Sequence, residues 1–457
     1  MKILNKANAN MTRLGTQRAE PGRRYKKNPC LIKESNAWFN PMTGEAVLVE
    51  DPAGDLPELV RRWYYVPEDF DIKAATHMIR QKTLQDTRVM GRPSIGSYTI
   101  FTTTACNAAC SYCFEKGMKT LTMSDDTALE VAKYIARTRR RNSALLIKWF
   151  GGEPLVNRQA IRIICGHLRE YGIPFRSDFS SNGDLFETIP NKTLTEEWQT
   201  REVQLTLDDI GRGYEKYKKL PDGAYDRLKK TIVRLTGLGI HVVARIHYHP
   251  EDGPEPFRRV VDDLRDIQNL GMYGRIIYKE ENAEHYKTLL ELEDYMAAAG
   301  KFQFAFPRRG GGTHCMADNP RAVCITPEGK LSPCEHYAYG EIYGTIHTGP
   351  IGQETLAEWK AREKHMCDCG SCPLYPSCEK IMACPAEGDC LKGYQFYQIE
   401  TIKRALKQRA AAAGGQTVTN GSTTRGNPDS WQRQAKRGRT VGQAATVEDL
   451  RAQCNVC

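Results

Sequence analysis

No run of about 18 apolar residues occurs anywhere in this chain, which excludes a membrane-spanning helix. No apolar stretch follows the opening Met1 and Lys2 either, so a secretory signal is not expected. The setting expected is soluble, reducing and cytoplasmic, with no membrane partner. Disulfides are scarce in that setting, and the sixteen cysteines read instead as metal ligands or catalytic groups. Aromatics make up only 9% of the chain, and in its body none are interleaved with a basic patch. That argues against nucleic acid as a partner, despite a formal net charge of +10. The charge sits at the ends: residues 1–30 hold eight Lys or Arg against one acid, and residues 409–457 hold seven against three. A basic end can attract an acidic peptide, or simply be a solvated tail.

What is present divides the 457 residues into four parts: 1–95, 96–300, 301–409 and 410–457. Residues 1 to about 26 are polar and basic without apolar periodicity, and read as a mobile arm. From Cys30 to Val49 short strands alternate with turns at 34–36 and 40–44, and a helix-rich stretch to Arg92 completes a small N-terminal module. Between Gly96 and Glu281 short apolar runs alternate with amphipathic segments, the pattern of βα units on a parallel sheet. Strands are predicted at 97–102, 145–150, 174–180, 202–207, 240–247 and 274–278. Six such units predict an α/β fold built as a partial (β/α)6 barrel, open on one side, with functional groups at the C-terminal ends of its strands. From His314 to Cys390 both periodicities fade while cysteines crowd, so metal is expected to hold this C-terminal cysteine-rich domain together. A helix is predicted from Gly393 to Arg409, followed by a Gly-, Ser- and Thr-rich flexible tail.

Directly after the first predicted strand comes Cys106-Asn-Ala-Ala-Cys110-Ser-Tyr-Cys113. Three thiolates can hold three irons of a cubane and leave the fourth iron open to another ligand, which suits a cofactor that must receive an electron there. Zinc is the competing reading of the same cysteines. This spacing, with Tyr112 before the last cysteine, resembles the radical SAM superfamily. The resemblance implies a [4Fe-4S] cluster whose open iron takes the amine and carboxylate of S-adenosyl-L-methionine (SAM), which is then cleaved reductively.

Gly151-Gly152-Glu153-Pro154 resembles the family's GGE motif, and implies backbone and carboxylate acceptors for the methionyl ammonium. Ser181 and Asn182 match its polar strand end. In Leu205-Thr206-Leu207-Asp208-Asp209, Thr206 offers a hydroxyl while Asp209 stands where relatives often have glycine. The family's following arginine is missing. Lys218 or Lys219 can stand in for it, and Arg245 is the better cationic candidate because a lysine offers no bidentate fork.

Farther on, Cys315, Cys324 and Cys334 precede Cys367, Cys369, Cys372, Cys378, Cys384 and Cys390 in a pattern that resembles the SPASM extension of radical SAM enzymes acting on peptides and proteins. It implies two auxiliary [4Fe-4S] clusters, one on Cys315, Cys324, Cys334 and Cys384, the other on Cys369, Cys372, Cys378 and Cys390. Cys367 or a substrate thiolate can replace Cys324. The spacing from Cys378 to Cys384 is longer than in relatives, and CxxC alone would suit zinc equally. Glu335 follows Cys334 where resembling sulfatase maturases carry a proton-accepting acid, and is the candidate base.

The resemblance implies a maturase that takes a hydrogen from a peptide residue and forms a thioether or carbon-carbon cross-link. Its partners would be a precursor peptide, whose leader adds as a strand to the N-terminal module, and an electron donor such as flavodoxin or ferredoxin. Formylglycine formation by a sulfatase maturase is the alternative enzyme, and a non-catalytic iron-sulfur redox or binding protein the alternative class. Cys454 and Cys457 close the tail and read as redox-active or inert.

Overall fold

The computed structural model describes residues 1–8, 10–89, 95–113, 115–117, 119–141, 144–277, 282–307, 321–335, 344–350, 372–375 and 392–414. Its first elements are β1 (Lys2–Asn5), α1 (Asn10–Leu14), β2 (Tyr25–Lys27), β3 (Ile32–Glu34), β4 (Ala37–Asn40), β5 (Glu45–Leu48), α2 (Leu56–Arg61), β6 (Tyr65–Pro67) and α3 (Ile72–Val89). Four of these strands form a sheet in the order β1-β5-β4-β3, all antiparallel, and β2 pairs with β6. The expectation of a mobile arm over residues 1–26 is therefore wrong. Its backbone finds partners that no apolar periodicity announces: β1 completes a ladder on β5, the Asn8 amide donates to Thr43, and the buried Asn10 side chain donates to the Met42 carbonyl.

The next elements alternate: β7 (Ser97–Thr103), α4 (Asp125–Thr138), β8 (Leu145–Gly151), α5 (Arg158–Glu170), β9 (Phe175–Ser181), β10 (Thr200–Leu207), α6 (Gly211–Lys218), α7 (Ala224–Gly237), β11 (His241–Tyr248), α8 (Glu255–Leu264), β12 (Leu270–Ile276) and α9 (Ala283–Ala298). The helices start where the chain can cap them. Ser124 accepts from the Thr127 amide at the start of α4, and Asn157 from the Ala160 amide at the start of α5. On α5, Ile161, Ile164, Cys165 and Leu168 recur at helical spacing and are all buried. Strands β7 to β12 lie parallel in the order β12-β11-β10-β9-β8-β7. The sixth strand was expected at 274–278 and runs instead over Leu270–Ile276. Asn269 turns the chain in the left-handed region just before it, and the small Gly271 broke the apolar run that would have marked its start.

Strands β13 (Ala322–Ile325), β14 (Lys330–Ser332), β15 (Gly344–Thr345) and β16 (Gly349–Pro350) extend the same sheet beyond β7, with β13 parallel to β7 and the rest antiparallel. The final helix, α10 (Lys392–Ala413), is longer than the predicted 393–409 and packs against α9, β3 and β4. No helix among the described residues is long and apolar enough to cross a membrane.

Burial alternates along β9 and β10, while β7 is buried throughout and β11 at every residue but Arg245. Ile147, Phe179, Val203, Leu205, Ala244 and Ile246 are buried in the main core, while Lys148, Asp178, Ser180, Gln204, Thr206 and Arg245 are only half-buried on the other face. Parallel sheets ordinarily bury apolar residues on both faces. Here one face carries Lys148, Asp178, Gln204 and Arg245 on its central strands. Phe179, packed among Trp149, Phe186 and Trp198 with ring centroids 6.3, 5.4 and 5.8 Å away, anchors the apolar face. Phe179→Ala is expected to cost about 3–5 kcal/mol, seen as a lowered urea midpoint. An unchanged midpoint would show that this layer is not packed as described.

Candidate active site

The three-cysteine loop leaves the C-terminal end of β7 and is pinned from several sides. Asn182, just beyond β9, donates its side-chain amide to Asn107 at 2.8 Å and lies 3.8 Å from the Cys106 sulfur. Asn107 in turn donates to Asp184 at 3.0 Å, and the Ala109 amide donates to the Lys218 carbonyl at 2.9 Å. Cys110 and Cys113 are half-buried and none of the three is in a disulfide. Burial pushes the Cys113 thiol above its ordinary pKa, so a thiolate here needs a cation to hold its charge.

At the end of β8 the backbone passes against this loop. A side-chain carbon on Gly151, whose φ is 126°, would lie 2.1 Å from the Thr103 carbonyl oxygen, and one on Gly152 would lie 2.5 Å from those of Thr104 and Ala105. Only glycine allows that approach. Glu153 then turns inward. Its carboxylate is fully buried and accepts from the Ser181 hydroxyl, the Asn182 amide and the Leu155 amide at 2.9–3.1 Å. Both of its oxygens thus serve the chain's own donors, and Glu153 ties the end of β8 to the end of β9.

A second buried carboxylate ties β10 to β11. Asp208 accepts from His247 Nδ1 at 2.9 Å, His249 Nε2 at 2.8 Å, the Tyr112 hydroxyl at 2.8 Å and Lys218 Nζ at 3.0 Å. Burial alone would raise its pKa, but the Lys218 charge and the histidine contacts hold it well below the usual carboxylate range. Lys218, itself buried, also donates to Tyr112 at 2.8 Å and to Thr206 at 2.7 Å. Lysine 218 is therefore spent inside the protein, Asp209 is taken in a bidentate pair by Arg259, and Lys219 is the left-handed residue that ends α6. Ligand atoms of Asp208, His247 and His249 lie close enough to hold a metal ion. The Lys218 ammonium already supplies the positive charge there.

Burial pushes the His247 pKa down to about 4, against the opposing pull of Asp208, so its imidazole is neutral at pH 7. With Nδ1 donating to Asp208, Nε2 is left as a buried acceptor with no partner among the described residues. Arg245 lies on β11 opposite Thr206 of β10, on the polar face. Sequence reasoning placed the weight on Thr206 and passed over Asp208, His247 and His249. The readable signal was His-x-His at a strand end, which sets both rings on one face.

Lower on the polar face, Glu335 is 3% exposed and pairs with Lys148 of β8 at 3.0 Å. The adjoining strands place Asp178 and Glu202 level with Lys148, and burial together with Glu202 pushes Asp178 up to about 7. Cys324 is buried on β13 between Thr99 and Ser332, and Cys334 is buried beside Glu335 in sequence. Cys372 accepts a hydrogen bond from Gln395 of α10 at 2.9 Å. Cys315, His336, Cys367, Cys369, Cys378, Cys384, Cys390, Cys454 and Cys457 lie outside the described residues.

The residues present fit a [4Fe-4S] cluster with SAM. Three cysteines share one pinned loop, two glycines let the end of β8 press against the backbone that carries that loop, and a buried imidazole nitrogen has no partner among the described residues. The Glu153 knot carries a pH signature of its own. Burial raises Glu153 to about 7. The folded chain therefore holds this proton more tightly than the unfolded one, and the stability so gained is complete below about pH 4 and lost as pH rises through 7. Across pH 5–8 the wild type is expected to lose up to about 3 kcal/mol relative to Glu153→Gln in urea unfolding. A pH-independent difference would show that Glu153 does not titrate there.

Comparison with known proteins bears on the fold and on the stretch that carries the loop. Residues 100–264 match the model of the Radical SAM superfamily. The chain is 24% identical over 269 residues to GTP 3',8-cyclase of Alkaliphilus metalliredigens (strain QYMF), covering 53% of this chain and 82% of that protein. Its fold is similar to that of anSMEcpe with bound AdoMet, with a TM-score of 0.55 and 15% identity over 70% of this chain and 96% of the other. It is similar also to anSMEcpe with bound AdoMet and the Cp18Cys peptide, with a TM-score of 0.53 and 14% identity over 70% and 100% of the two chains. The chain therefore carries a radical SAM domain, and the three-cysteine loop and the strand ends gathered around it lie within that domain.

Proposed function

We propose that this chain is a peptide maturase that takes a hydrogen from a residue of a precursor peptide and closes a thioether or carbon-carbon cross-link. The observation that carries the reading is Glu335: a carboxylate almost without solvent contact, ion-paired to Lys148, on the polar face below the strand ends. An ion-paired carboxylate is the proton-accepting form, and a site closed to water preserves it for a substrate.

When bound, the cluster and SAM supply a one-electron reductant and a hydrogen-atom acceptor. The chain's part is to bind and orient. Cys106, Cys110 and Cys113 would hold the irons, and the backbone carbonyls at Gly151 and Gly152 would accept from a methionyl ammonium. Tyr112, Ser181, Asn182 and Thr206 line the strand ends, Tyr112 kept in place by Asp208, Ser181 and Asn182 by Glu153, and Thr206 by Lys218. Arg245 offers a guanidinium to the methionyl carboxylate. Glu335 then takes the proton that substrate must release as the new bond closes, and Lys148, 3.0 Å away, holds the carboxylate in place.

In this reading the parallel sheet is a partial barrel over residues 96–300, and residues 301–409 form a SPASM domain. Cys315, Cys324, Cys334 and Cys384, with Cys369, Cys372, Cys378 and Cys390, hold two auxiliary clusters that accept the released electron. Residues 1–95 recognise the leader, residues 410–457 are a flexible tail, and flavodoxin or ferredoxin supplies electrons in the cytoplasm.

Replacing Cys106, Cys110 and Cys113 together by alanine should abolish 5′-deoxyadenosine release and lower bound iron by about one cubane in three. Continued release would sink the proposal. Glu335→Gln should keep iron and SAM cleavage while product falls at least about 100-fold, read by mass spectrometry of short peptides encoded beside the gene. Undiminished product would remove Glu335 from the chemistry.

A further inference from the structure

Cys30 takes no part in the chemistry above, yet its position is closely fixed. It is 3% exposed and stands on a turn built around Asn28, itself buried. Asn28 Oδ1 accepts from the Cys30 amide at 3.0 Å, and the Asn28 side-chain amide donates to the Trp63 carbonyl at 2.9 Å. The Asn28 backbone amide donates to the Tyr64 carbonyl at 2.9 Å. The cysteine is thereby held in the N-terminal module, two residues before β3 begins.

A second cysteine reaches the same place from the far end of the chain. Helix α10 packs on β3 and β4, and its Gln395 donates to the Cys372 sulfur at 2.9 Å. Ile32, two residues after Cys30, and Leu374, two residues after Cys372, are buried in one core, and Cys372 packs against that core. The two thiols are neighbours: burial pushes Cys30 up to about 12, and the charge of Cys372 adds to that push. Neither is in a disulfide. Near but unbonded sulfurs in apolar surroundings, with a side-chain amide donating to one of them, suit an iron-sulfur cluster, whose iron stands between its thiolates and whose sulfurs are tuned by such donors.

We propose that Cys30 is a ligand of the same auxiliary iron-sulfur cluster as Cys372, so that iron as well as packing fastens the N-terminal module to the cysteine-rich domain. The proposal rests on the reading of Cys372 as an auxiliary ligand. A cubane takes four thiolates, so Cys30 replaces one of the cysteines that the sequence pattern supplies, a pattern whose spacing from Cys378 to Cys384 is longer than in relatives. On coordination the Cys30 thiol gives its proton to solvent and its sulfur binds iron, with no electron transferred. A metal clip between positions so distant in sequence restrains the unfolded chain strongly.

The test uses the full chain carrying Cys106→Ala, Cys110→Ala and Cys113→Ala, reconstituted with iron and sulfide, so that only auxiliary clusters are counted. Two further substitutions separate a ligand from a packing group. A buried cysteine that only packs is replaced more gently by valine than by serine, whose hydroxyl then lacks a partner. A ligand shows the reverse, because a serine oxygen can stay on iron and a valine cannot. Cys30→Val is expected to lower iron and acid-labile sulfide by about one cubane in two. Cys30→Ser should retain at least as much of both as Cys30→Val, with an altered electron paramagnetic resonance signal of the reduced clusters. Full iron in Cys30→Val, or more iron lost from Cys30→Ser than from Cys30→Val, would overturn the proposal. Should both variants fail to fold, chelating iron from the chain with Cys30 intact decides the matter. Amide exchange at residues 28–34 should then rise at least about tenfold, and unchanged exchange there would overturn the proposal. A background chain that holds no iron at all defeats the auxiliary-cluster reading and this proposal with it, whereas iron indifferent to Cys30 defeats this proposal alone.

Discussion

Asp208 is a carboxylate removed from water, and such a group is tolerated only when donors replace its lost hydration. Two imidazoles, a phenol and an ammonium do so here, each from a different place: His247 and His249 at the end of β11, Tyr112 in the cysteine loop, and Lys218 at the end of α6. The loop that must present three sulfurs to one cluster is thereby fastened to strands remote in sequence. Remove the carboxylate and a buried lysine is left without its counter-charge, so the knot has no half-assembled form of comparable stability.

Glu153 does the same on the other side with different chemistry. Its donors are neutral, two backbone amides and a hydroxyl, so burial dominates and the carboxyl rises toward neutrality, whereas Asp208, facing a cation, falls. Two buried acids at strand ends thus have opposite protonation tendencies, decided by the Lys218 charge and the histidine contacts that only Asp208 has. The glycine backbone lies at the end of β8 beside Glu153 and the orphaned His247 nitrogen lies on β11 beside Asp208, which gives the strand ends one side rich in backbone and one side rich in side-chain polarity.

The polar face of the parallel sheet connects this site to Glu335. Level pairing carries Thr99, Lys148, Asp178 and Glu202 across four strands, with Cys324 joining at β13. Charges at that depth hold one another in place, and Lys148 stands between Glu335 and Asp178. The spacing of the strands in sequence gives no hint of the pairing, because register is a property of the assembled sheet.

The alternation of apolar runs with amphipathic segments determined the parallel α/β core, since periods of 2 and 3.6 residues are local properties of a chain. The cysteine spacing and Gly151-Gly152-Glu153 marked the site equally locally, because close backbone approach demands glycine wherever it occurs. Hydrophobic pattern could not show β1 or α1, whose order comes from backbone and asparagine partners some forty residues away. Nor could it separate Lys218, spent on Asp208, from the cation a ligand would meet, or give Glu335 its partner in Lys148, 187 residues distant. Local pattern fixes which residues face inward; which inward charges meet is decided only when the strands find their register, because an ion pair depends on a few ångströms that sequence separation does not encode.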